Sequence, residues 1–252
     1  MPRLIPALAA VLLSWPVAAF AHFQTLLPDT DILPDDGDRT VTLSAVFTHP
    51  MEGGPVMAMD RPARFGVLAG KKKTDLSALL SEKSVDGKPA FEARYTVPGP
   101  GDYVFYLAPA PYWDAAEKQY LIHYTKVVVD YGGGEDWDAL AGLPVEIQPL
   151  TRPYGLWTGS LFRGVALKDG KPLPHARVEI EWLNDGSVTA PSDPFITQEV
   201  KTDSTGVFAY AMPRAGWWGF NVLTEGKVKD KNGKPAEAEL GGTMWVHTTD
   251  FK

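Results

Sequence analysis

Apolar and polar residues alternate along much of this chain, and the alternation predicts β-strands. In residues 38–48 (DRTVTLSAVFT), Val41, Leu43, Ala45 and Phe47 occupy every second position, as in a strand with one buried face. Further segments rich in aromatic and β-branched residues, as strands prefer, are residues 65–68, 91–97, 102–108, 120–131, 156–165, 175–182, 196–201, 207–211, 216–223 and 243–247. One short helical pattern stands out in residues 74–80, where Leu76, Leu79 and Leu80 fall on one face.

Many short strands without intervening helices predict an all-β protein. We expect two consecutive immunoglobulin-like or Greek-key β-sandwich domains, in residues 22–135 and 154–252. Residues 136–153 contain three prolines and no periodicity, which favours an ordered connector between them. The turns in residues 168–174 (KDGKPLP) and 202–206 (TDSTG) make the second domain resemble the carboxypeptidase-regulatory or pilin-like Greek-key module.

Residues 1–21 have the features of a secretory signal peptide. Arg3 precedes an apolar run in residues 4–17, and Ala19-Phe20-Ala21 matches the A-x-A cleavage pattern. The run is too short to cross a bilayer, and no later stretch approaches the roughly 20 apolar residues that a membrane helix needs. We therefore expect a soluble periplasmic protein, without direct membrane insertion, whose mature chain begins at His22.

Charge and cysteine content exclude several classes of function. The chain has 24 Lys and Arg against 31 Asp and Glu, and loss of Arg3 with the signal changes the formal charge from −7 to −8. An acidic surface without a basic cluster argues against nucleic acid as a partner. The absence of cysteine excludes disulfides, thiolate metal sites and a cysteine nucleophile. No Ser-His-Asp or paired-carboxylate spacing supports hydrolysis, so we do not expect an enzyme.

The loop in residues 47–59 (FTHPMEGGPVMAM) carries a concentration of metal-binding side chains. It contains His49, Glu52 and the methionines Met51, Met57 and Met59. Its prolines and paired glycines exclude a helix interior or a central strand. Such side chains suit a soft or borderline transition metal. The alternative is that the methionines fill the core and His49 makes an ordinary hydrogen bond in a turn.

The other histidines extend this candidate site to different degrees. As the mature N-terminus, His22 would offer an amine and an imidazole, which together chelate copper or nickel. His123 lies within a predicted strand, as a core residue or a ligand, after a polar and aromatic loop that could complete a site: Tyr112, Trp113, Asp114 and Glu117. His175 belongs to an exposed turn, and His247 could reach the first domain only if the two sandwiches fold against each other.

Four segments together resemble the DUF4198 family: FTHPMEGGP, PAPYWDAAEKQYLIHYTKVVV, GLPVEIQPLTRPYGLW and TDSTGVFAYAMPRAGWWGF. The resemblance covers nearly the whole mature chain. It implies an exported protein linked with nickel or cobalt uptake, working with a separate membrane component such as an NikM-type transporter. It also implies the candidate metal ligands His22, His49, Glu52 and His123.

We therefore expect a non-catalytic metal-binding protein for nickel or cobalt, in which His22 chelates through its amine and ring. Copper stays open, because methionine next to histidine suits Cu(I). It would make the protein a copper chaperone or an oxidase in which His22 and a second histidine form a copper brace. A third alternative is an adhesion or carbohydrate-binding module with Trp217 and Trp218 as a stacking platform.

Overall fold

The computed structural model describes residues 21–230 and 232–251, so the predicted signal segment, apart from Ala21, lies outside the described residues. Strands dominate the described chain, and the all-β prediction is confirmed. The first thirteen strands are β1 Phe23–Gln24, β2 Leu27–Pro28, β3 Ile32–Leu33, β4 Thr40–Ala45, β5 Phe47–Thr48, β6 Val56–Met57, β7 Arg64–Ala69, β8 Lys72–Asp75, β9 Ser81–Val85, β10 Lys88–Thr96, β11 Gly101–Ala108, β12 Tyr112–Asp114 and β13 Gln119–Tyr131.

The remaining strands are β14 Val145–Pro149, β15 Leu156–Trp157, β16 Leu161–Lys168, β17 Lys171–Pro172, β18 Arg177–Trp182, β19 Gln198–Lys201, β20 Val207–Ala211, β21 Gly216–Lys229 and β22 Pro235–Thr249. Two 3-10 turns, Ser77–Leu79 and Asp193–Phe195, complete the regular structure of the described residues. No helix in this part of the chain has the length and apolar character needed to cross a membrane.

The alternating pattern of residues 38–48 is confirmed in β4, whose odd-numbered residues are buried and whose even-numbered residues are partly exposed. The helical pattern of residues 74–80, which predicts one or two turns, corresponds to a single 3-10 turn, Ser77–Leu79. Thr74 and Asp75 instead pair with β7. Leu76 and Leu80 are buried in the core, whereas Leu79 is 43% exposed. The residues on either side of the 3-10 turn therefore pack against the core, and the turn itself does not.

One long central sheet connects the two parts of the chain, with strand order β19-β18-β21-β22-β13-β11-β7-β8. At its middle, β13 pairs in parallel with β22, from Tyr120 opposite Ala238 to Val127 opposite Trp245. The β21–β22 hairpin extends well beyond the predicted segments 216–223 and 243–247. The N-terminal and C-terminal parts of the chain therefore share a single hydrogen-bonded sheet.

Smaller sheets cover the two faces of the central sheet. Sheets β1-β5-β6 and β2-β4-β10-β9 contribute to the core that contains Phe105, Leu121 and Trp245. The sheet of β14, β16, β17 and β20 contributes to the core that contains Ile122, Met244 and Val246. Because side chains alternate along a strand, β13 and β22 each supply both cores.

The predicted connector, residues 136–153, contains a strand. Its residues Val145–Pro149 form β14, which pairs with β16. Its Glu146 accepts hydrogen bonds from Lys126 Nζ at 2.8 Å and from the N–H groups of Ala141, Gly142 and Leu143 at 2.7–3.1 Å. This buried ion pair fixes the connector against β13, while the division into domains at residues 135 and 154 stays a prediction.

Candidate metal-binding site

The N-terminal segment packs next to the loop of residues 47–59. Strand β1 pairs with β5, with Phe23 opposite Thr48, so His22 lies alongside His49. The Phe23 side chain is completely buried and packs edge-on against Trp245. Gln24 O accepts hydrogen bonds from Thr125 and from the Trp245 indole, both at 3.1 Å. These contacts hold His22 in a fixed place.

His22 and His49 face each other, with ring centroids 4.7 Å apart. Nε2 of His22 lies 3.1 Å from Asp114 Oδ2, and Nδ1 of His49 lies 3.0 Å from the carbonyl oxygen of Ala21. Both oxygens are acceptors, so these two nitrogens carry the ring hydrogens when the imidazoles are neutral. The lone pairs are then on Nδ1 of His22 and, while Ala21 is attached, on Nε2 of His49; cleavage before His22 removes the Ala21 carbonyl and with it this constraint on the His49 ring.

His123 is the third histidine of the cluster and is 2% exposed. Its Nε2 lies 3.3 Å from Glu239 Oε1, and its Nδ1 lies 3.4 Å from Asn221 Nδ2. Thr243 donates to Asn221 Oδ1 at 3.0 Å, which orients the amide. Both ring nitrogens of His123 therefore have protein partners, and the ring also packs edge-on against Phe47.

A glycine makes room for the His123 ring. Gly241 pairs with His123 across β13 and β22, and a Cβ atom at Gly241 would lie 2.5 Å from both His123 Cδ2 and Asn221 Oδ1. Such a contact is much closer than van der Waals separation, so a larger residue would displace the ring. Gly241 is thus part of how the sheet accommodates a buried histidine.

Burial favours the neutral forms of His22 and His49. It lowers the pKa of His22 from 6.5 to about 4, an effect that the charges of His49 and His123 reinforce and those of Asp114 and Glu239 oppose. Burial also lowers the pKa of His49, against the opposing charges of Glu52 and Asp114. Burial raises the pKa of Glu239, but the hydrogen bond and charge of His123 outweigh it and the net shift is downward. Neutral imidazoles near ionised carboxylates attract a cation.

The loop that carries His49 is fastened to the C-terminal part of the chain. Met51 N–H donates to Glu181 Oε2 at 2.9 Å, and Asn184 binds the carbonyl oxygens of Pro50 and Met51 at 3.1 and 2.9 Å. Gly53 and Gly54 have φ of 72° and 138°, a backbone conformation that favours glycine. The two glycines therefore let the chain turn sharply behind His49.

Only some of the predicted site residues lie together. His22, His49 and His123 come together, whereas Glu52 is exposed and acts on His49 only through its charge. Met57 and Met59 pack in one core and Met51 in the other, with Met59 Sδ accepting a weak bond from Gln24. The methionines thus fill the core, as in the alternative interpretation of the loop.

The remaining candidates lie elsewhere. His175 is exposed in its turn, as predicted. The His247 ring contacts the Trp217 ring at a tilt of 46°, and its Nδ1 lies 3.7 Å from Asp31 Oδ1. It is six residues along β22 from the position opposite His123, a separation of roughly 20 Å in a strand. Trp218 is 4% exposed, so Trp217 and Trp218 do not form a surface platform.

Sequence reasoning missed Glu239, Asn221 and Gly241, which reach His123 only through the pairing of β22 with its neighbours. Asp114 belongs to the loop that was expected to complete a site, and it does contact His22. Within residues 21–230 and 232–251, no three or more His, Asp or Glu side chains are spaced to hold one metal ion as they stand. A metal would therefore need rearrangement of these side chains or donors beyond them.

A cavity of about 410 Å³ adjoins the cluster. Phe47 and Tyr112 line it, and the same two rings contact His22 at centroid distances of 5.7 and 6.5 Å. His123 forms part of the wall, and Trp113, 50% exposed, lies at the edge. Phe47 and Tyr112 thus form a partition between the cavity and His22.

Comparisons with known proteins give a family and distant structural likenesses. The family model described as "Domain of unknown function (DUF4198)" matches residues 19–226. A search of curated proteins gives no match. A two-domain fibronectin type III segment of chicken tenascin is 15% identical over 90% of this chain and 100% of its own, at a TM-score of 0.24. The titin immunoglobulin tandem A164–A165 is 10% identical over 92% of this chain and 100% of its own, at 0.22. Scores this low carry no argument, and the strands themselves define the fold.

Proposed function

This chain belongs to the DUF4198 family, and from its histidine cluster we propose that it is a periplasmic accessory protein that binds divalent nickel or cobalt for uptake. The metal is cargo, held through the mature N-terminal His22 and through His49. A separate membrane component, of the NikM type, receives it. The observation that carries this proposal is the convergence of two buried histidines, His49 and His123, the partly buried His22 and two carboxylates around the expected mature N-terminus.

The hydrogen bonds support particular roles for each residue. With Nε2 of His22 bonded to Asp114, Nδ1 is the nitrogen that chelates a metal together with the α-amine of the same residue. Asp114 then orients the ring, as carboxylates do behind metal-bound histidines. His49 contributes one ring nitrogen; the Ala21 carbonyl that contacts its Nδ1 is removed with the signal peptide, so this contact does not select a nitrogen in the mature protein. His123 and Glu239 form the adjacent wall, as ligands if their own hydrogen bond opens, and Glu52 adds negative charge from the surface.

A copper site is the second candidate. One amine, Nδ1 of the first histidine and Nε2 of another histidine form the donor set of a copper brace, and the 4.7 Å separation of the His22 and His49 rings favours it. This arrangement suits a copper chaperone or oxidase. The buried positions of Met51, Met57 and Met59 give no added support to copper.

The test uses protein exported with its own signal, so that His22 is the natural N-terminus. Calorimetric titration with Ni²⁺, Co²⁺ and Cu²⁺ compares it with His22→Ala, with His49→Ala and with a form carrying one extra residue before His22. We expect Ni²⁺ or Co²⁺ binding that each change weakens at least 100-fold. His175→Asn is the matched control, because His175 is exposed and has a φ of 57° that asparagine tolerates.

Three outcomes decide between the candidates. Binding of Ni²⁺ or Co²⁺ that requires His22 supports the uptake function. Binding of copper alone replaces it with the second candidate. No binding of any of the three metals to the mature protein contradicts both candidates and leaves the adhesion module as the leading account.

A further inference from the structure

We propose that the cavity beside His123 binds a small zwitterionic chelator, of the size and chemistry of a free amino acid, which enters with the metal as its co-ligand. This inference rests on the proposed function and names the form in which the cargo arrives. Four features support it: the position of the cavity, its size, its wall residues and the charges around it.

The cavity lies close to the proposed metal donors. The metal donors assigned to the protein are the His22 amine, Nδ1 of His22 and one ring nitrogen of His49. Ni²⁺ and Co²⁺ take four to six ligands, so up to three positions stay open. The cavity lies beyond Phe47 and Tyr112, which contact His22, and a side-chain shift of either ring would connect it to those positions.

The cavity is larger than a hydrated metal ion. Six waters around a metal ion would occupy roughly 180 Å³, at about 30 Å³ each, whereas the cavity measures about 410 Å³. That volume falls in the lower part of the roughly 300–1,000 Å³ range of small-molecule sites. The space therefore suits a metal ion accompanied by an organic molecule better than a hydrated ion.

The walls and charges define the chemistry of the occupant. Tyr112, Trp113 and Tyr120 supply aromatic surface, with the Trp113 and Tyr120 rings 5.0 Å apart, and aromatic rings stack on a flat group such as imidazole. Lys229 contributes a positive charge to the lining, and Asp60 and Asp230 contribute negative charges. A zwitterion carries both complementary charges, whereas a simple anion or cation would meet a like charge.

The test is native mass spectrometry and titration of the mature protein with Ni²⁺ alone and with an equimolar mixture of Ni²⁺ and L-histidine. Free histidine competes for the metal in solution, so a site for the bare ion loses Ni²⁺ when histidine is added. We expect instead a complex of protein, Ni²⁺ and histidine in a 1:1:1 ratio. Trp113→Ala should weaken histidine retention at least tenfold and leave binding of Ni²⁺ alone unchanged.

The control is Trp157→Ala, because Trp157 is 47% exposed but stacks on Phe251, outside the lining of this cavity. Removal of Ni²⁺ by histidine, or equal ternary binding in both tryptophan variants, overturns the cavity inference and leaves the proposed function intact. Failure to bind Ni²⁺ in either form overturns the proposed nickel function itself. The two failures are therefore distinguishable.

Discussion

The two faces of strands β13 and β22 differ in chemistry although alternate residues of the same two strands form them. On one face, Ile122, Val128, Met244 and Val246 pack in a hydrocarbon core, interrupted by the Lys126–Glu146 pair. On the other, His123, Thr125, Thr243 and Glu239, with Asn221 and Glu179 of the neighbouring strands, form a buried polar band beside Trp245.

The apolar face stabilises the fold, whereas the polar face contains the candidate metal-binding residues. Among the described residues, every buried side-chain nitrogen and oxygen atom has a hydrogen-bond partner, so the polar band is satisfied, as buried polar groups need to be. A satisfied polar band still adds little net stability compared with apolar packing. The polar band lies where the N-terminal segment covers the sheet, which is also where His22, His49 and His123 come together.

The largest expected effect is on the apolar face. Glu146→Ala leaves Lys126 buried without its carboxylate and removes the acceptor of three N–H groups. We expect a loss of about 3–5 kcal/mol in the free energy of unfolding, measured by denaturant titration. Lys126→Met should cost less, because Glu146 keeps its three N–H donors. Equal losses in the two variants would contradict the role given to these donors.

On the polar face, His22 should make stability depend on pH. Its pKa is 6.5 when unfolded and about 4 when folded, so between these values only the unfolded chain binds the proton. The contribution of His22 is complete above pH 6.5 and falls by about 3 kcal/mol as the pH approaches 4. Denaturant titrations of the wild type and His22→Gln across this range measure the difference.

Two buried carboxyls on the same face of β18, Glu179 of the polar band and Glu181 next to it, have the opposite effect to His22 on the pH dependence of stability. Burial raises the pKa values of Glu179 and Glu181 from 4.5 to about 7, so the folded state binds more protons and stability falls as the pH rises through that interval. We expect His22→Gln to expose this decline, and Glu179→Gln with Glu181→Gln to remove it. An unchanged profile in His22→Gln would contradict the low pKa of His22, and His175→Asn serves as the control.

Asn221→Ala should have an intermediate effect. It removes the partner of His123 Nδ1 and of the Thr243 hydroxyl, at about 1–3 kcal/mol of stability. If the histidine cluster binds metal, affinity should fall by about 10–100-fold, as when a group that orients a metal site is lost. Val222→Ala, next to it on the apolar face, should lose stability but keep the metal affinity found by calorimetry.

The smallest effects should come from the methionines. Met57→Leu and Met59→Leu keep volume and hydrophobicity, so we expect losses below about 1.5 kcal/mol. Affinity for Ni²⁺, Co²⁺ and Cu²⁺ should change by less than twofold. A large loss of copper affinity in either variant would make that methionine a ligand and would favour the copper candidate.

Sequence reasoning recovered what depends on local pattern. Alternation located β4, and the aromatic and β-branched segments located β11 and β13 within a residue at each end. His22 and His49 were assigned to one site from their metal-binding chemistry and the DUF4198 resemblance, and their rings lie 4.7 Å apart. Glu239 and Asn221 were not anticipated, since their contact with His123 depends on the register of a parallel pair that no local spacing specifies.

The parallel pairing of β13 with β22 has a consequence for the order of folding. His123 and Glu239 are 116 residues apart, so their contact closes a very long loop, and pairings of this kind form late and slowly. A nascent chain that has reached residue 230 contains four of the five histidines, including the three of the cluster, but lacks β22. The buried environment of His123 therefore forms only after the β21–β22 hairpin is complete, which leaves partly synthesised chains without a finished site.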